Sequence, residues 1–200
     1  MKTGIYGGSF NPVHNGHVRL AQAYQAALEL ERMLVIPTRV PPHKAGDELA
    51  DGVDRLEMCR LAFSDPFYQV SDLELRRQDL KSYTVDTLEL LHARYPDDQL
   101  YLLMGSDMFL TLTDWHDWQR IFQLAVMCVG GREPDLRGRL QAHGRYLESL
   151  GAHCRVLDLE PFVVSSTDVR TRVRAGLAID ELVPLPVAEY IRRHQLYRQN

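Results

Sequence analysis

Short aliphatic runs separated by amphipathic stretches are the feature that most constrains how this 200-residue chain can fold. The runs lie at Thr3–Tyr6, Arg32–Ile36, Leu100–Met104, Leu124–Val129 and Cys154–Leu159, with a weaker alternation over Tyr68–Leu75. Aliphatic runs of this length are typical of strands buried on both faces, and helical patterns between them indicate parallel βαβ units. The sequence therefore predicts an α/β fold, a Rossmann-like doubly wound parallel sheet with helices on both faces.

Helical patterns fill the stretches between the predicted strands. They lie at Leu20–Leu28, at Asp54–Ala62, from an N-cap at Ser82 to a stop before Pro96, around Trp115 and Trp118, at Leu136–Leu150, and from Ser165 onward with a break at Pro184–Pro186. We find no internal repeat and no low-complexity tract. The pattern predicts one domain over 1–200, in which residues 165–200 form a small C-terminal helical portion.

The composition argues against several classes of protein. With 45% hydrophobic residues the chain can bury a sizeable core, and a net charge of -4 gives no basic field for nucleic acid or an anionic membrane. Cys59, Cys128 and Cys154 are widely spaced, which argues against a disulfide framework or structural zinc. The N-terminus lacks an apolar signal region and no apolar run reaches membrane-spanning length. We therefore expect a cytoplasmic protein with no nucleic-acid or membrane partner.

The unusual loops follow predicted strands or begin helices. They lie at Gly7–His17, Pro37–Lys44, Gly105–Asp107, Gly130–Arg132 and Ser165–Arg170. In doubly wound sheets, ligands bind beyond the carboxyl ends of the strands, at the point where the strand order reverses. We therefore expect one crevice to gather these loops.

The first of these loops, Gly7–His17, has the composition of a phosphate site. Glycine lets the backbone approach a ligand closely, and the helix start that follows adds free N–H groups and the positive end of a dipole. His14 and His17 are three residues apart, so both imidazoles can point to the same side. The loop is neither a P-loop nor a G-x-G-x-x-G fingerprint. Taken alone, it also fits a glycine turn with two incidental surface histidines.

A second anion site is indicated at Ser165–Arg170. Hydroxyls at a helix start, free backbone N–H groups and the guanidinium of Arg170 together suit phosphate. Ser165 and Asp168 also have the spacing of a capping box. Taken alone, this segment is better explained as an ordinary helix cap.

Together the two segments resemble the paired H-x-G-H and S-S-T-x-x-R motifs of the nucleotidyltransferase superfamily. The chain resembles the bacterial nicotinate-mononucleotide adenylyltransferases in particular, because further matching motifs follow in the family's order. These are PPHK at 41–44, SYTVDTL at 82–88, GSD at 105–107 and WHxW at 115–118. Ser9 and Asn11 stand where the family frequently has Thr and Asp. Ser9 keeps the hydroxyl, and we assign the uncharged Asn11 no catalytic role.

The resemblance implies a nucleotidyltransferase that transfers AMP from ATP to nicotinate mononucleotide in NAD biosynthesis. It implies that His14, His17 and Arg170 are catalytic as stabilisers of phosphate charge, since an anionic phosphate nucleophile needs no strong base. ATP binding is expected at Gly7, Gly8, Ser9, Phe10, His14, His17, Gly105, Asp107, Ser165, Ser166, Thr167 and Arg170. Mg2+ would be carried with ATP and keep most of its waters, so no residue is assigned as a metal ligand.

The second substrate is expected to contact six side chains, His43, Lys44, Thr84, Asp107, Trp115 and Arg132. Of these, His43 and Lys44 would bind its phosphate, and Trp115 would stack on the pyridine ring. The helix N-terminus near Thr84 would accept a nicotinate carboxylate more readily than a carboxamide. Plainer readings stay open: a solvated basic loop at 43–44, helix caps at 84 and 107, and core packing for the tryptophan.

Three other functions fit part of the sequence. A catalytically silent nucleotide-binding regulator would keep the fold, but the intact His14 and His17 pair counts against it. A class I aminoacyl-tRNA synthetase fragment shares an H-x-G-H-type loop, yet no RNA-binding extension or lysine-rich loop is present. A metal hydrolase built on the two histidines is disfavoured by Gly16 between them. The expected partners are thus ATP and nicotinate mononucleotide, and the sequence leaves the oligomeric state open, a homo-oligomer included.

Overall fold

The computed structural model of the protein describes residues 1–39, 49–77, 83–131, 134–159 and 164–198. In these residues the strands are β1 (Lys2–Gly8), β2 (Arg32–Pro37), β3 (Tyr68–Val70), β4 (Gln99–Met104), β5 (Ala125–Gly130) and β6 (Cys154–Leu157). The helices are α1 (Asn15–Leu28), α2 (Gly52–Ala62), α3 (Thr84–Arg94), α4 (Ser106–Leu110), α5 (Trp118–Leu124), α6 (Pro134–Ser149), α7 (Ser166–Arg174) and α8 (Leu185–Arg193). A 3-10 turn, Leu112–Asp114, lies between α4 and α5.

Within the described part of the chain the strands form a six-stranded parallel sheet in the order β3-β2-β1-β4-β5-β6. The chain order reverses between β1 and β4, which pair in parallel from Lys2–Gln99 to Tyr6–Leu103. Strands β2, β4 and β5 are buried over almost their whole length, as their continuous aliphatic runs predict. The predicted Rossmann-like α/β fold is confirmed. In doubly wound sheets ligands bind beyond the carboxyl ends of the strands, where the strand order reverses.

The chain divides into two compact units. The first comprises Met1–Gly7, Ala23–Leu34 and Tyr83–Pro161, and the second comprises Gly8–Gln22, Val35–Ser82 and Phe162–Asn200. In the first unit the hydroxyl of the buried Tyr24 donates a hydrogen bond to the Met104 carbonyl at the end of β4 (2.9 Å). In the second unit α8 packs on α2, and both helices bury their apolar faces. None of the helices described is long and apolar enough to cross a membrane.

The cysteines are all free and buried. Burial raises the pKa of the Cys128 and Cys154 thiols to about 12, and it raises the pKa of Cys59 as well. The three side chains are therefore protonated at neutral pH and pack as small apolar groups.

The spacing of the two tryptophans predicted one helix that contains both, and this prediction is wrong. Trp115 follows the 3-10 turn with extended backbone, and Trp118 begins α5. Between them Asp117 has a left-handed backbone, with φ of +51°, which no regular helix contains. The two rings therefore belong to different elements, and Trp118 packs against Phe122 within α5.

Two helix starts also differ from the predictions. Helix α3 begins at Thr84 with Tyr83 as its N-cap, so the predicted N-cap at Ser82, which lies outside the described residues, is wrong. Tyr83 makes no side-chain capping bond, and its ring stacks on His116 instead, with 4.4 Å between centroids. The predicted break at Pro184–Pro186 is the start of α8, because proline fits the first helical turn, where no intrahelical N–H bond is lost.

A half-buried charge cluster around Asp98 joins the amino ends of β1 and β4 in the first unit. Its carboxylate accepts hydrogen bonds from the Thr3 hydroxyl (2.6 Å) and from the Arg32 guanidinium, and the Met1 α-amino group lies 3.3 Å away. The Arg32 guanidinium also lies 4.0 Å from the centre of the Tyr95 ring. Burial opposes ionisation of Asp98, but these hydrogen bonds and the Arg32 charge outweigh it and lower the Asp98 pKa.

We expect Asp98→Asn to lower the free energy of unfolding at neutral pH by about 2 kcal/mol, because it leaves the partly buried Arg32 without its charge partner. The folded-state pKa of Asp98 lies below its unfolded value, so the contribution is complete above about pH 5 and is lost as pH falls through the folded pKa. Urea unfolding between neutral and acid pH measures this, and the difference between wild type and variant should shrink in acid. The control is Asp97→Asn at an exposed neighbour. Equal losses in both variants would contradict the assignment.

Candidate active site

The loop predicted to bind phosphate, residues 8–17, connects the end of β1 to the first turn of α1 and is called the phosphate loop below. Phe10 is buried within it and has a left-handed backbone, with φ of +43°. Its ring lies against Gly8, where an added Cβ would be 3.2 Å from the ring carbon Cζ. The same ring meets His17 edge-on, with 5.0 Å between ring centroids. Glycine at position 8 therefore allows a buried phenylalanine to support one side of His17.

His14 and His17 lie ring against ring, with 3.7 Å between their centroids. The backbone N–H of His14 donates to Nδ1 of His17 (3.2 Å), and the backbone N–H of His17 donates to Nδ1 of His14 (3.3 Å). A ring nitrogen that accepts a hydrogen bond carries no proton, so each neutral ring holds its proton on Nε2. The loop thereby fixes both imidazoles as Nε2–H donors.

His14 is uncharged at neutral pH. Burial lowers its pKa to about 4, and the nearby negative charge of Asp168 offsets this only in part. The side chain can therefore offer a phosphate a neutral N–H rather than a full positive charge. An anionic ligand beside the ring would raise the pKa of His14, because a negative charge favours the imidazolium form.

Helix α7 begins with the predicted capping box. The Ser165 hydroxyl accepts from the backbone N–H of Asp168 and donates to its carboxylate, which also accepts from the backbone N–H of Ser165. These bonds to Ser165 lower the pKa of Asp168. Because the Ser165 hydroxyl is engaged within the cap, α7 can offer an anion the backbone N–H groups of its first turn, the Thr167 hydroxyl and Arg170.

Side-chain hydrogen bonds join α7 to the phosphate loop within the second unit. The Ser166 hydroxyl donates to the Pro12 carbonyl (2.9 Å) across a sequence separation of 154 residues. The Arg170 guanidinium donates to the Asn11 carbonyl (2.9 Å) and to the Thr167 hydroxyl (3.3 Å). The structure thus brings together the two motifs that the sequence singled out.

The other predicted site residues lie in the first unit or outside the described residues. Gly7 lies in β1, Thr84 is the first residue of α3, Gly105 and Asp107 lie at the start of α4, and a half-buried Trp115 follows the 3-10 turn. His43, Lys44 and Arg132 lie outside the described residues. The roles predicted for all of them stay predictions.

Arg55 on α2 supports the phosphate loop, and the sequence did not reveal it. Its side chain is 1% exposed, and its guanidinium donates to the carbonyls of Ser9 (2.8 Å), Thr38 (2.6 Å), Arg39 (3.1 Å) and Ala50 (2.9 Å). Burial lowers the pKa of Arg55 from its usual high value, and arginine remains charged at neutral pH. The buried Arg55 guanidinium therefore joins the phosphate loop to the residues on either side of 40–48.

Comparison with known proteins identifies the family. The cytidylyltransferase-like family model matches residues 5–172. A relative from Roseiflexus castenholzii is 41% identical over 198 residues, covering 98% of each chain, and one from Desulfitobacterium hafniense is 38% identical over 200 residues, covering 98% of this chain and 96% of its own. Both are named "probable nicotinate-nucleotide adenylyltransferase".

Solved structures share the fold. The Plasmodium falciparum nicotinic acid mononucleotide adenylyltransferase complexed with NaAD superposes with a TM-score of 0.77 at 17% identity, covering 98% of both chains. The same protein complexed with APC gives a TM-score of 0.76 at 16% identity. At such identities the likeness concerns the fold, whereas the family follows from the sequence matches. The chain belongs to the nicotinate-nucleotide adenylyltransferases, a family of nucleotidyltransferases within the cytidylyltransferase-like group.

Proposed function

We propose that this protein transfers AMP from ATP to the phosphate of nicotinate mononucleotide, giving nicotinate adenine dinucleotide and pyrophosphate in NAD biosynthesis. The observation that carries the proposal is the phosphate loop, which holds two imidazoles as Nε2–H donors and hydrogen-bonds Arg170 of α7. Such a set of donors suits a polyphosphate. Relatives that match almost the whole chain carry the corresponding name.

The reaction needs little acid or base chemistry from the protein. A phosphate oxygen of nicotinate mononucleotide attacks the α-phosphorus of ATP, and the bond from that phosphorus to the oxygen shared with the β-phosphate breaks. Pyrophosphate leaves with the electron pair of that bond, and the nucleophile is already an anion. The protein must supply alignment of the two substrates and neutralisation of the charge that builds on the phosphates.

In this proposal the second unit holds the phosphates of ATP. The Nε2–H groups of His14 and His17 donate to phosphate oxygens, and Arg170 pairs with the β- and γ-phosphates that depart. The first turn of α7, including Ser166 and Thr167, adds backbone N–H groups and the positive end of the helix dipole. The predicted roles of Gly7 to Phe10, Gly105 and Asp107 in binding the nucleotide belong to the same proposal.

The acceptor is proposed to be the acid rather than the amide. Helix α3 begins at Thr84, and the positive end of its dipole is proposed to bind the carboxylate. A carboxamide would gain less from the helix dipole, because it is uncharged. Trp115 is half-buried, which leaves part of its ring accessible for stacking on a pyridine. His43 and Lys44 are proposed to bind the phosphate of the acceptor, and Arg132 is proposed as a further anion donor.

The remaining expectations complete the proposal. Magnesium is proposed to enter as the complex with ATP, bridging phosphate oxygens. Among the residues described, no group of three or more His, Cys, Asp or Glu is arranged to hold a metal ion. The protein is proposed to act as a single domain in the cytoplasm, on small molecules rather than nucleic acid, and free, buried cysteines suit a reducing compartment.

The test is a pyrophosphate-release assay with magnesium, ATP and three acceptors measured side by side. Nicotinate mononucleotide is expected to give the highest kcat/KM, nicotinamide mononucleotide a lower value by at least about tenfold, and phosphopantetheine no turnover. Chromatography should show nicotinate adenine dinucleotide in equal amount to pyrophosphate. If either of the other acceptors reacts faster, the proposed substrate is wrong. If the protein binds ATP but none of the three reacts, the silent-regulator hypothesis is favoured.

A further inference from the structure

Asn11 lies at a junction of the second unit, although its uncharged side chain suggested no role. It is 6% exposed, and its side-chain Oδ1 accepts hydrogen bonds from the Tyr197 hydroxyl (2.8 Å) and the Ala50 backbone N–H (3.0 Å). Its backbone carbonyl accepts from the Arg170 guanidinium (2.9 Å). One residue of the phosphate loop therefore contacts both the arginine proposed to bind phosphate and a tyrosine 186 residues further along the chain.

Tyr197 belongs to the segment that follows α8, residues 194–198. Its φ is +62° and that of Gln195 is +54°, backbone conformations that a residue with a side chain adopts only when its surroundings hold it there. Burial raises the pKa of Tyr197, so its hydroxyl is protonated at neutral pH and can donate to Asn11. The positive charges of Arg55 and Arg170 offset part of that rise.

The segment is held in place independently of Asn11. Helix α8, which precedes it, packs on α2 and buries Val187, Ala188 and Ile191. The Tyr190 hydroxyl on α8 donates to the Asp54 carboxylate on α2 (2.8 Å). Loss of the Tyr197 hydroxyl alone should therefore leave the helices packed and remove one hydrogen bond to the phosphate loop.

We propose that Tyr197 is a positioning residue for nucleotide binding: through its hydrogen bond to Asn11 it fixes the carbonyl that orients Arg170 towards the β- and γ-phosphates. The inference rests on the proposed function only in assuming that the polyphosphate of ATP is the ligand of Arg170. The path has two hydrogen bonds in series, from the Tyr197 hydroxyl to the Asn11 side chain and from the Arg170 guanidinium to the Asn11 carbonyl. Tyr197 touches no reacting atom in this proposal.

The experiment compares ATP with AMP, because AMP lacks the β- and γ-phosphates. We expect Tyr197→Phe to weaken ATP binding by about fivefold, the effect of one net hydrogen bond, and to leave AMP binding within about 1.5-fold. Calorimetry with each nucleotide and magnesium measures both dissociation constants. Tyr190→Phe, which removes the neighbouring tyrosine hydrogen bond to Asp54, is the matched control and should change neither constant. Thermal melting checks that both variants fold.

A variant of Asn11 extends the test from the tyrosine to its acceptor. Asn11→Leu removes the oxygen that accepts from Tyr197 and should lower the ratio of ATP to AMP affinity at least as much as Tyr197→Phe does. Equal weakening of ATP and AMP in Tyr197→Phe, or no weakening of ATP, would overturn the proposal. If the wild-type protein binds ATP but transfers no AMP, only the proposed function is wrong, because the ratio of ATP to AMP affinity would still test the role of Tyr197. A wild type that binds no ATP would overturn both.

Discussion

Replacing His17 by alanine is expected to lower kcat for AMP transfer by about 10²–10³-fold, the usual loss when one preorganised donor to a charged transition state is removed. The reason lies in the paired hydrogen bonds of the loop, which place the proton of the neutral His17 ring on Nε2, and that N–H is proposed to donate to phosphate. The substitution also removes the Nδ1 acceptor of the His14 N–H, so alanine alone does not separate catalysis from loop structure. Steady-state kinetics with ATP and nicotinate mononucleotide measure the loss, and thermal melting checks the fold.

Two amide variants of His17 separate its role in catalysis from its role in the structure of the loop. The oxygen of asparagine can occupy the place of Nδ1, so His17→Asn should preserve the bond from the His14 N–H yet lack the Nε2–H donor. The amide of glutamine reaches the place of Nε2, so His17→Gln should keep a donor to phosphate and lose the Nδ1 acceptor. We expect the asparagine variant to be as slow as alanine and the glutamine variant to recover at least about tenfold in kcat. If asparagine restored the rate and glutamine did not, the histidine would act through loop structure alone.

The parts of the fold that the sequence predicts are those governed by local pattern. The strands β4 and β5 were predicted within one residue, because a run of aliphatic residues long enough for one strand has few other stable placements in a compact α/β chain. The capping box of Ser165 and Asp168 was predicted for the same reason, since a cap joins residues three apart. In the structure it coexists with the hydrogen bonds from Ser166 and Arg170 to the phosphate loop, and the predicted anion site stays a prediction.

Arg55 and Tyr197 show what local pattern does not reveal. In the sequence Arg55 follows Asp54, and such a pair is more often a solvated helix face than a buried cation. Its partners are backbone carbonyls, which are present in every residue and leave no mark in the sequence. Tyr197 meets Asn11 across 186 residues, a contact that only the tertiary fold decides. The one signal available was the position of Arg55 directly before Leu56 on the buried face of α2.

Gly16→Ala is expected to reduce kcat by about 10²-fold and to lower the free energy of unfolding by about 1–3 kcal/mol. A Cβ at this position would lie 2.9 Å from Nδ1 and 3.0 Å from Cε1 of His14, closer than real side chains approach, and 3.4 Å from the Val164 carbonyl oxygen. The His14 ring has little room to move, because it is 7% exposed and stacks on His17 at 3.7 Å. Displacing it would also break the hydrogen bond from the His17 N–H to Nδ1.

Comparison with a second helical glycine separates this steric effect from helix propensity. Alanine in a helix is favoured over glycine by about 0.5–1 kcal/mol in either position, although less near a helix start. At Gly138 in α6 an added Cβ would meet nothing within 4 Å, so Gly138→Ala should raise the melting temperature slightly and leave kcat unchanged. Melting curves and steady-state kinetics of both variants make the comparison. If Gly16→Ala kept full activity, the position of the His14 ring would not matter to the rate. If kcat falls in Gly16→Ala and not in Gly138→Ala, glycine is required at position 16 because the His14 ring occupies the space that a side chain there would need.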